Sequence, residues 1–239
     1  MTTLLPKRLY NTMVWDIRLQ FRNGFYYAVL VVIVFAVILL RQLPLDTLVW
    51  ALPLFILGNL FMNGFFFISG LVLLEKGEGT LEAQIVTPLR SQEYLLAKVA
   101  TLTLLSIVEN MTVVALTYGI GPHLLAVVIA LSLATPLFAL FGFLVVIRYD
   151  AINEFLMPSI VFASLLSLPL VSYLGVNLSW LIYLHPIQGG LTWLTAAFEP
   201  VPIWQLGFSF IYSVAWIAGA AYLSRRAFYR FVILREGVR

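Results

Sequence analysis

The chain has 239 residues, of which 62% are hydrophobic and only 10% charged. A soluble domain carries roughly 25% charged residues, so the surplus apolar surface must face lipid. Soluble enzymes, nucleic-acid binders and disordered scaffolds are excluded. The net charge of +3 reflects topology rather than nucleic-acid contact, and the absence of cysteine excludes disulfides and thiolate metal sites.

Met1 to Asn23 mixes charged and apolar residues, with no short apolar core before a small-residue cleavage site, so it reads as a retained segment. Leu9, Met13, Ile17 and Phe21 recur at four-residue steps, joined by Tyr10 and Val14. Arg8, Asn11, Asp16, Arg18 and Arg22 supply a polar side. This pattern predicts a basic amphipathic helix lying in the membrane interface, or a simple interfacial anchor.

A helix crossing about 30 Å of hydrocarbon needs roughly 20 apolar residues. Six segments meet or approach that length: Gly24 to Leu40, Leu48 to Leu74, Leu95 to Ile120, His123 to Ile147, Phe155 to Leu174 and Ile203 to Leu223. The first is short but is extended by Phe25, Tyr26 and Tyr27, an aromatic belt. The expected fold is therefore all-α, a polytopic membrane protein with six transmembrane helices. Of the 14 lysines and arginines, Arg41 alone falls on one side of this arrangement and the other 13 on the opposite side. That bias predicts cytoplasmic termini. Connections are short except for a cytoplasmic loop, Glu75 to Tyr94, and an external stretch, Gly175 to Pro202.

The cytoplasmic loop reads Glu75-Lys76-Gly77-Glu78-Gly79-Thr80-Leu81-Glu82-Ala83-Gln84-Ile85-Val86-Thr87-Pro88-Leu89-Arg90. Gly77 and Gly79 permit a sharp departure from the second span. Thr80 is a candidate N-cap with Glu82 well placed against the helix dipole. Leu81 and Ile85 lie one turn apart, and Pro88 forces Thr87 out of helical geometry. A helix of about two turns outside the membrane, with a small apolar face, follows. Ser91 can cap the next helix.

The string Glu-x-Gly-x-Gly-Thr-Leu-Glu, then Thr-Pro, then Lys98 ten residues after Pro88, resembles the loop signature of type-2 ATP-binding-cassette permeases. The amphipathic N-terminus, the six spans and the long external stretch follow that family's order. The run through Thr87-Pro88-Leu89-Arg90 and Glu93-Tyr94-Leu95-Leu96-Ala97-Lys98 looks most like bacterial drug-export permeases, including fluoroquinolone exporters. The haem-exporter permease of cytochrome c maturation has a similar loop. The resemblance implies a single permease domain over residues 1–239, with an elbow helix at about 8–22, a coupling loop at about 75–94 and external helices at about 175–202. It further implies that Glu75, Glu78, Gly79, Thr80, Leu81, Glu82, Ile85, Thr87, Pro88 and Lys98 couple the chain to a separate ATPase subunit, which would hold ATP and Mg. A second permease copy, identical or related, and membrane lipids complete the implied partners. The implied setting is the plasma membrane of a prokaryote. The chain has no G-x-x-x-x-G-K-[ST] phosphate loop, so no cofactor and no catalytic residue is expected on it.

Within the spans, Glu109 is the only deeply placed acid, and a carboxylate at the bilayer centre costs on the order of 2.5–3.5 kcal/mol. Thr103, Ser106, Asn110 and Thr117 share one side of the third span, which Glu109 borders. Asn59 and Asn63 in the second span offer amide donors one turn apart. Asn59, Asn63, Ser106, Glu109 and Asn110 thus form a candidate translocation wall for a cationic or zwitterionic solute, or a set of interhelical hydrogen bonds. Pro136, Pro158 and Pro169 predict kinks. In the external stretch His185-Pro186 and Gly189-Gly190 interrupt Trp180, Tyr183, Trp193 and Phe198, which predicts short re-entrant or interfacial helices. His123 and His185 are both expected outside and lie far apart in sequence, which leaves a metal or haem-ligand reading beside that of two isolated histidines. The resemblance implies the membrane subunit of an ATP-driven exporter that moves hydrophobic or amphipathic small molecules outward. A non-transport membrane scaffold or enzyme is the competing class.

Overall fold

A computed structural model of the chain describes residues 4–81, 90–176 and 180–234. Their regular structure is entirely helical, with no strand among these residues. Even Val31 to Leu40, rich in β-branched residues, is helix, because in lipid only an intrasegment ladder satisfies every backbone N–H and C=O.

The amphipathic helix α1 (Leu4–Arg22) meets α2 (Phe25–Leu40) at a 66° bend. The bend is made at Gly24, whose φ of +82° favours glycine. Then follow α3 (Leu45–Gly77), α4 (Ser91–Thr117), α5 (His123–Val146) and α6 (Ile152–Tyr173). A 3-10 turn (Trp180–Leu184) and the short helix α7 (Gln188–Ala196) lead into α8 (Ile203–Ile233). Five helices, α3 to α6 and α8, are long and apolar enough to cross a membrane, and α2 makes a sixth span only when joined to α1. Its 16 residues cover roughly 24 Å. Several helices outrun the predicted segments, α4 beginning at Ser91 and α8 ending at Ile233. Apolar windows register hydrocarbon depth, whereas the hydrogen-bonded ladder continues into the interface.

α5 is the centre of the bundle and touches α4, α7, α8 and a π-helical turn of α3 at Phe61–Phe66. Small residues set these crossings, as expected where lipid tails are as apolar as the helices themselves. A Cβ on Gly142 would lie 2.5 Å from the Phe65 carbonyl oxygen, and one on Gly64 2.5 Å from Phe138 Cβ. Pro169 begins a fresh turn of α6 after a break at Ser167.

The ends of the bundle differ. At one end Lys76 Nζ donates to the carbonyls of Ile147 (2.8 Å) and Tyr149 (2.7 Å), and Arg148 lies over Phe231. The opposite end holds Arg41, whose Nε donates to the Leu116 carbonyl in the last turn of α4 (2.9 Å). The segregation of basic residues is thus reproduced in space, and the exceptional arginine has a helix-end partner.

Gly142→Ala should lower unfolding stability in detergent by about 1–3 kcal/mol, although alanine is the better helix former. Gly58→Ala has open space around its Cβ and should be neutral or stabilising by up to about 1 kcal/mol. Equal melting of the two variants would remove the close crossing.

Candidate functional site

Two polar clusters and one re-entrant helix concentrate the chemistry. The first cluster sits where α1, the end of α3 and the start of α4 meet. Lys98, with no exposed surface, donates from Nζ to Glu75 Oε1 (2.6 Å) and Asp16 Oδ1 (3.0 Å). The Tyr94 hydroxyl donates to Glu75 Oε2 (2.6 Å), and the ammonium lies 4.8 Å from the centre of the Tyr94 ring. One turn along α1, buried Gln20 donates from Nε2 to Thr101 Oγ1 (3.0 Å). Two carboxylates face one ammonium.

This cluster corrects the expected facing of α1. Asp16, expected on the polar side with Asn11, Arg18 and Arg22, is buried, while Tyr10, Trp15 and Phe21 are exposed. With lipid as the surroundings, apolar side chains face out without penalty and the polar pair Asp16 and Gln20 turns inward.

The other expected coupling residues are distributed around this joint. Glu78 accepts from Arg22 Nη2 (3.2 Å), a largely exposed pair of little energetic weight. Gly79 has φ +68° and turns the chain. The Thr80 hydroxyl donates back to the Glu75 carbonyl (3.1 Å), and the backbone it was expected to cap lies outside the described residues. Leu81, expected on the small apolar face of the loop helix, is 2% exposed and belongs to the core. Glu82, Ile85, Thr87 and Pro88 lie outside the described residues. Arg90, rather than Ser91, occupies the cap position of α4, where the Glu93 carboxylate accepts its backbone N–H (2.9 Å).

The second cluster unites all five residues expected along a translocation wall. Asn59 Nδ2 donates to Glu109 Oε1 (2.9 Å) and to Asn110 Oδ1 (3.2 Å), and Asn63 Nδ2 donates to Glu109 Oε2. Asn110 Nδ2 donates to the Ser106 carbonyl (2.8 Å), and Thr135 Oγ1 of α5 donates to Ser106 Oγ (3.3 Å). Every member is buried, Glu109 at 1% exposure. Both carboxylate oxygens are engaged inside one chain, and the arrangement is an interhelical hydrogen-bond network. Thr103 and Thr117 bond only their own helix's carbonyls.

At the opposite end Gly189 and Gly190 are not the interruptions expected of them. A Cβ on Gly189 would meet Ser213 Oγ at 2.2 Å, and one on Gly190 would meet Ala134 Cβ at 2.7 Å. Ala134 lies about 17 Å into α5, at 1.5 Å per residue from His123. Thus α7 re-enters the bundle between α5 and α8. Beside it, a cavity of about 340 Å³ is lined by Tyr183, Thr192, Trp204, Gln205, Phe208 and Ser209. A smaller one of about 190 Å³ adds Ser172, Tyr173, Gln188 and Thr195. Neither has a charged wall. Gln188 Oε1, Trp193 Nε1 and Ser213 Oγ are buried without a hydrogen-bond partner among the described residues. Sequence reasoning missed this polar-walled region because its members are spread over three helices. His185 Nε2 sits 3.1 Å from the Leu165 carbonyl and His123 Nε2 3.2 Å from that of Gly119. Among the described residues no group of three His, Asp or Glu could hold a metal.

A helical bundle that keeps its polar groups inside and its apolar side chains outside is the build of a multi-pass membrane protein. Residues 7–236 match the fluoroquinolones export permease protein family. Fluoroquinolones export permease proteins from two strains of Mycobacterium tuberculosis are each 32% identical to this chain over 234 residues, covering 97% of it and 99% of theirs. The chain belongs to the fluoroquinolones export permease family.

Lys98→Met should destabilise the protein by about 3–5 kcal/mol, because it strands two buried carboxylates. Adding Asp16→Asn and Glu75→Gln should recover most of that loss. In the second cluster Glu109→Gln should be nearly neutral, while Glu109→Leu should cost about 1–3 kcal/mol for each amide donor left unpaired. Chemical unfolding in detergent micelles measures both series. A triple variant no more stable than Lys98→Met would mean that packing, not charge, holds the joint.

Proposed function

We propose that this chain is the membrane-spanning subunit of an ATP-binding-cassette exporter, moving a hydrophobic or amphipathic, drug-like or lipid-like small molecule outward. ATP and Mg bind to a separate ATPase subunit that docks on the loop at about 75–94. The chain lies in the plasma membrane of a prokaryote with both termini in the cytoplasm. A second permease copy, identical or related, completes the assembly; α6 and α8 leave most of their surface uncovered in the single chain, which fits a partner or lipid there.

The observation that carries this reading is the buried joint of Asp16, Glu75, Tyr94 and Lys98. It fastens the base of the loop with the Glu-x-Gly-x-Gly-Thr-Leu-Glu string to both adjoining spans and to the amphipathic helix. A push delivered to the loop would therefore reach α1, α3 and α4 together. The relatives' names favour a drug-like cargo over haem. The uncharged, hydroxyl- and amide-bearing cavities beside α7 suit the polar edge of an aromatic amphiphile leaving at that end.

The test uses single cysteines in this naturally cysteine-free chain. Glu82→Cys should crosslink to a co-expressed ATPase subunit, and a cysteine at position 185 should be labelled only from outside by an impermeant reagent. In proteoliposomes, Asp16→Asn should lower norfloxacin transported per ATP hydrolysed at least fivefold while the complex still assembles. An unchanged ratio, or crosslinks that never reach the ATPase, would overturn the coupling assignment.

A further inference from the structure

The basic end of the bundle carries a second groove of about 390 Å³, away from the joint and between α5, α6 and α8. Its walls are apolar, built by Phe141, Leu144, Phe162 and Leu223, and its rim carries Arg148, Arg226 and Arg230. The guanidinium carbons of Arg148 and Arg230 lie 5.8 and 5.5 Å from the centre of one ring, Phe231. Arg226 precedes Arg230 by one helical turn on the same face.

Three other cations at this end have acidic partners in the chain. Lys98 meets Asp16 and Glu75, Lys76 meets Asp150, and Arg22 meets Glu78. Arg148, Arg226 and Arg230 form no ion pair among the described residues, and the one acid of α6 at this end, Glu154, forms none either. Drawing two guanidiniums to one ring without a counter-charge raises their mutual repulsion. An anion bridging them relieves it, and a phosphate matches the planar fork of each arginine.

Below the rim, Phe141 stands five residues before the end of α5 at Val146, and Arg148 lies two residues beyond that end, so Phe141 sits roughly 8–10 Å deeper at 1.5 Å per residue. The arginines thus lie at headgroup depth and the walls at acyl-chain depth. We infer that this groove binds an acidic membrane phospholipid, its phosphate held by Arg148, Arg226 and Arg230 and one acyl chain laid along Phe141, Leu144, Phe162 and Leu223. The inference stands apart from the export reading, since it needs neither ATP nor a transported solute.

The full-length protein, purified in a neutral detergent and offered equal phosphatidylglycerol and phosphatidylcholine, is examined by native mass spectrometry. Wild type should retain at least tenfold more of the acidic lipid. The combined Arg148→Gln, Arg226→Gln and Arg230→Gln variant should lose that preference, while Lys7→Gln, an exposed cation on α1 at the same end, should keep it. Ala227→Trp keeps every charge but fills the groove, and should cut acidic-lipid retention at least fivefold; it carries the test if the triple variant does not fold. Equal retention of the two lipids by wild type would overturn the proposal, as would an undiminished preference in the triple variant or, where that variant does not fold, in Ala227→Trp. So would a rise in melting temperature with inorganic phosphate alone that equals the rise with phosphatidylglycerol, because a free-anion site would then explain the arginines.

Discussion

An ammonium group removed from water is tolerated only where anions replace its hydration, and Lys98 is removed completely. Its partners come from two different helices, Asp16 from α1 and Glu75 from α3, while the lysine itself belongs to α4. No one of these helices can shift along its axis without stranding a buried charge. Such a pair contributes little net stability compared with a well-packed apolar substitute, but it fixes a register that apolar contacts leave free. The Tyr94 hydroxyl on Glu75 and the Gln20 amide on Thr101 extend that register on either side. The turn at Gly79 and the buried Leu81 then leave the joint in a defined direction.

The bilayer explains the remaining choices. An apolar side chain gains nothing by leaving lipid, so helices associate through close backbone approach and shared hydrogen bonds. The crossings at Gly64, Gly142, Gly189 and Gly190 supply the first, and the Glu109 network supplies the second. The same rule turns Trp15 and Phe21 outward and Asp16 inward on α1. It also lets α7 enter the bundle, because its buried glycines bring helix backbones together without exposing a polar chain to hydrocarbon.

Span positions and the segregation of basic residues were legible because both depend on one-dimensional counts, the length of an apolar run and the sign of each loop. The Glu75 to Lys98 string was legible as a motif, and the structure pairs its first and last residues directly. Facing was not legible. For Leu81, Asp16 and the Gly189-Gly190 pair, the sequence pattern is equally compatible with surface or interior, and only the neighbouring helices decide. The π-helical turn at Phe61–Phe66 was hidden for another reason. It inserts a residue into the helical period, so Asn59 and Asn63 read as one turn apart while the turn between them is wider.

The long helix α3 carries Glu75 at one end and Asn63 near its middle, about 18 Å apart at 1.5 Å per residue. Trp50, farther along, accepts the Tyr173 hydroxyl at its carbonyl (3.2 Å). The two buried clusters on this helix resist motion unequally. Separating Lys98 from its acids leaves unpaired charges and costs several kcal/mol. An interhelical amide contact in a membrane is worth roughly 0.6 kcal/mol, and Asn59, Asn63 and Asn110 offer one another alternative partners. A displacement of α3 is therefore absorbed at the asparagine network and its π turn before it breaks the lysine joint. The lysine joint thus holds α3 to α1 and α4 more firmly than the asparagine network does, and the π turn where α3 crosses α5 is its more yielding point.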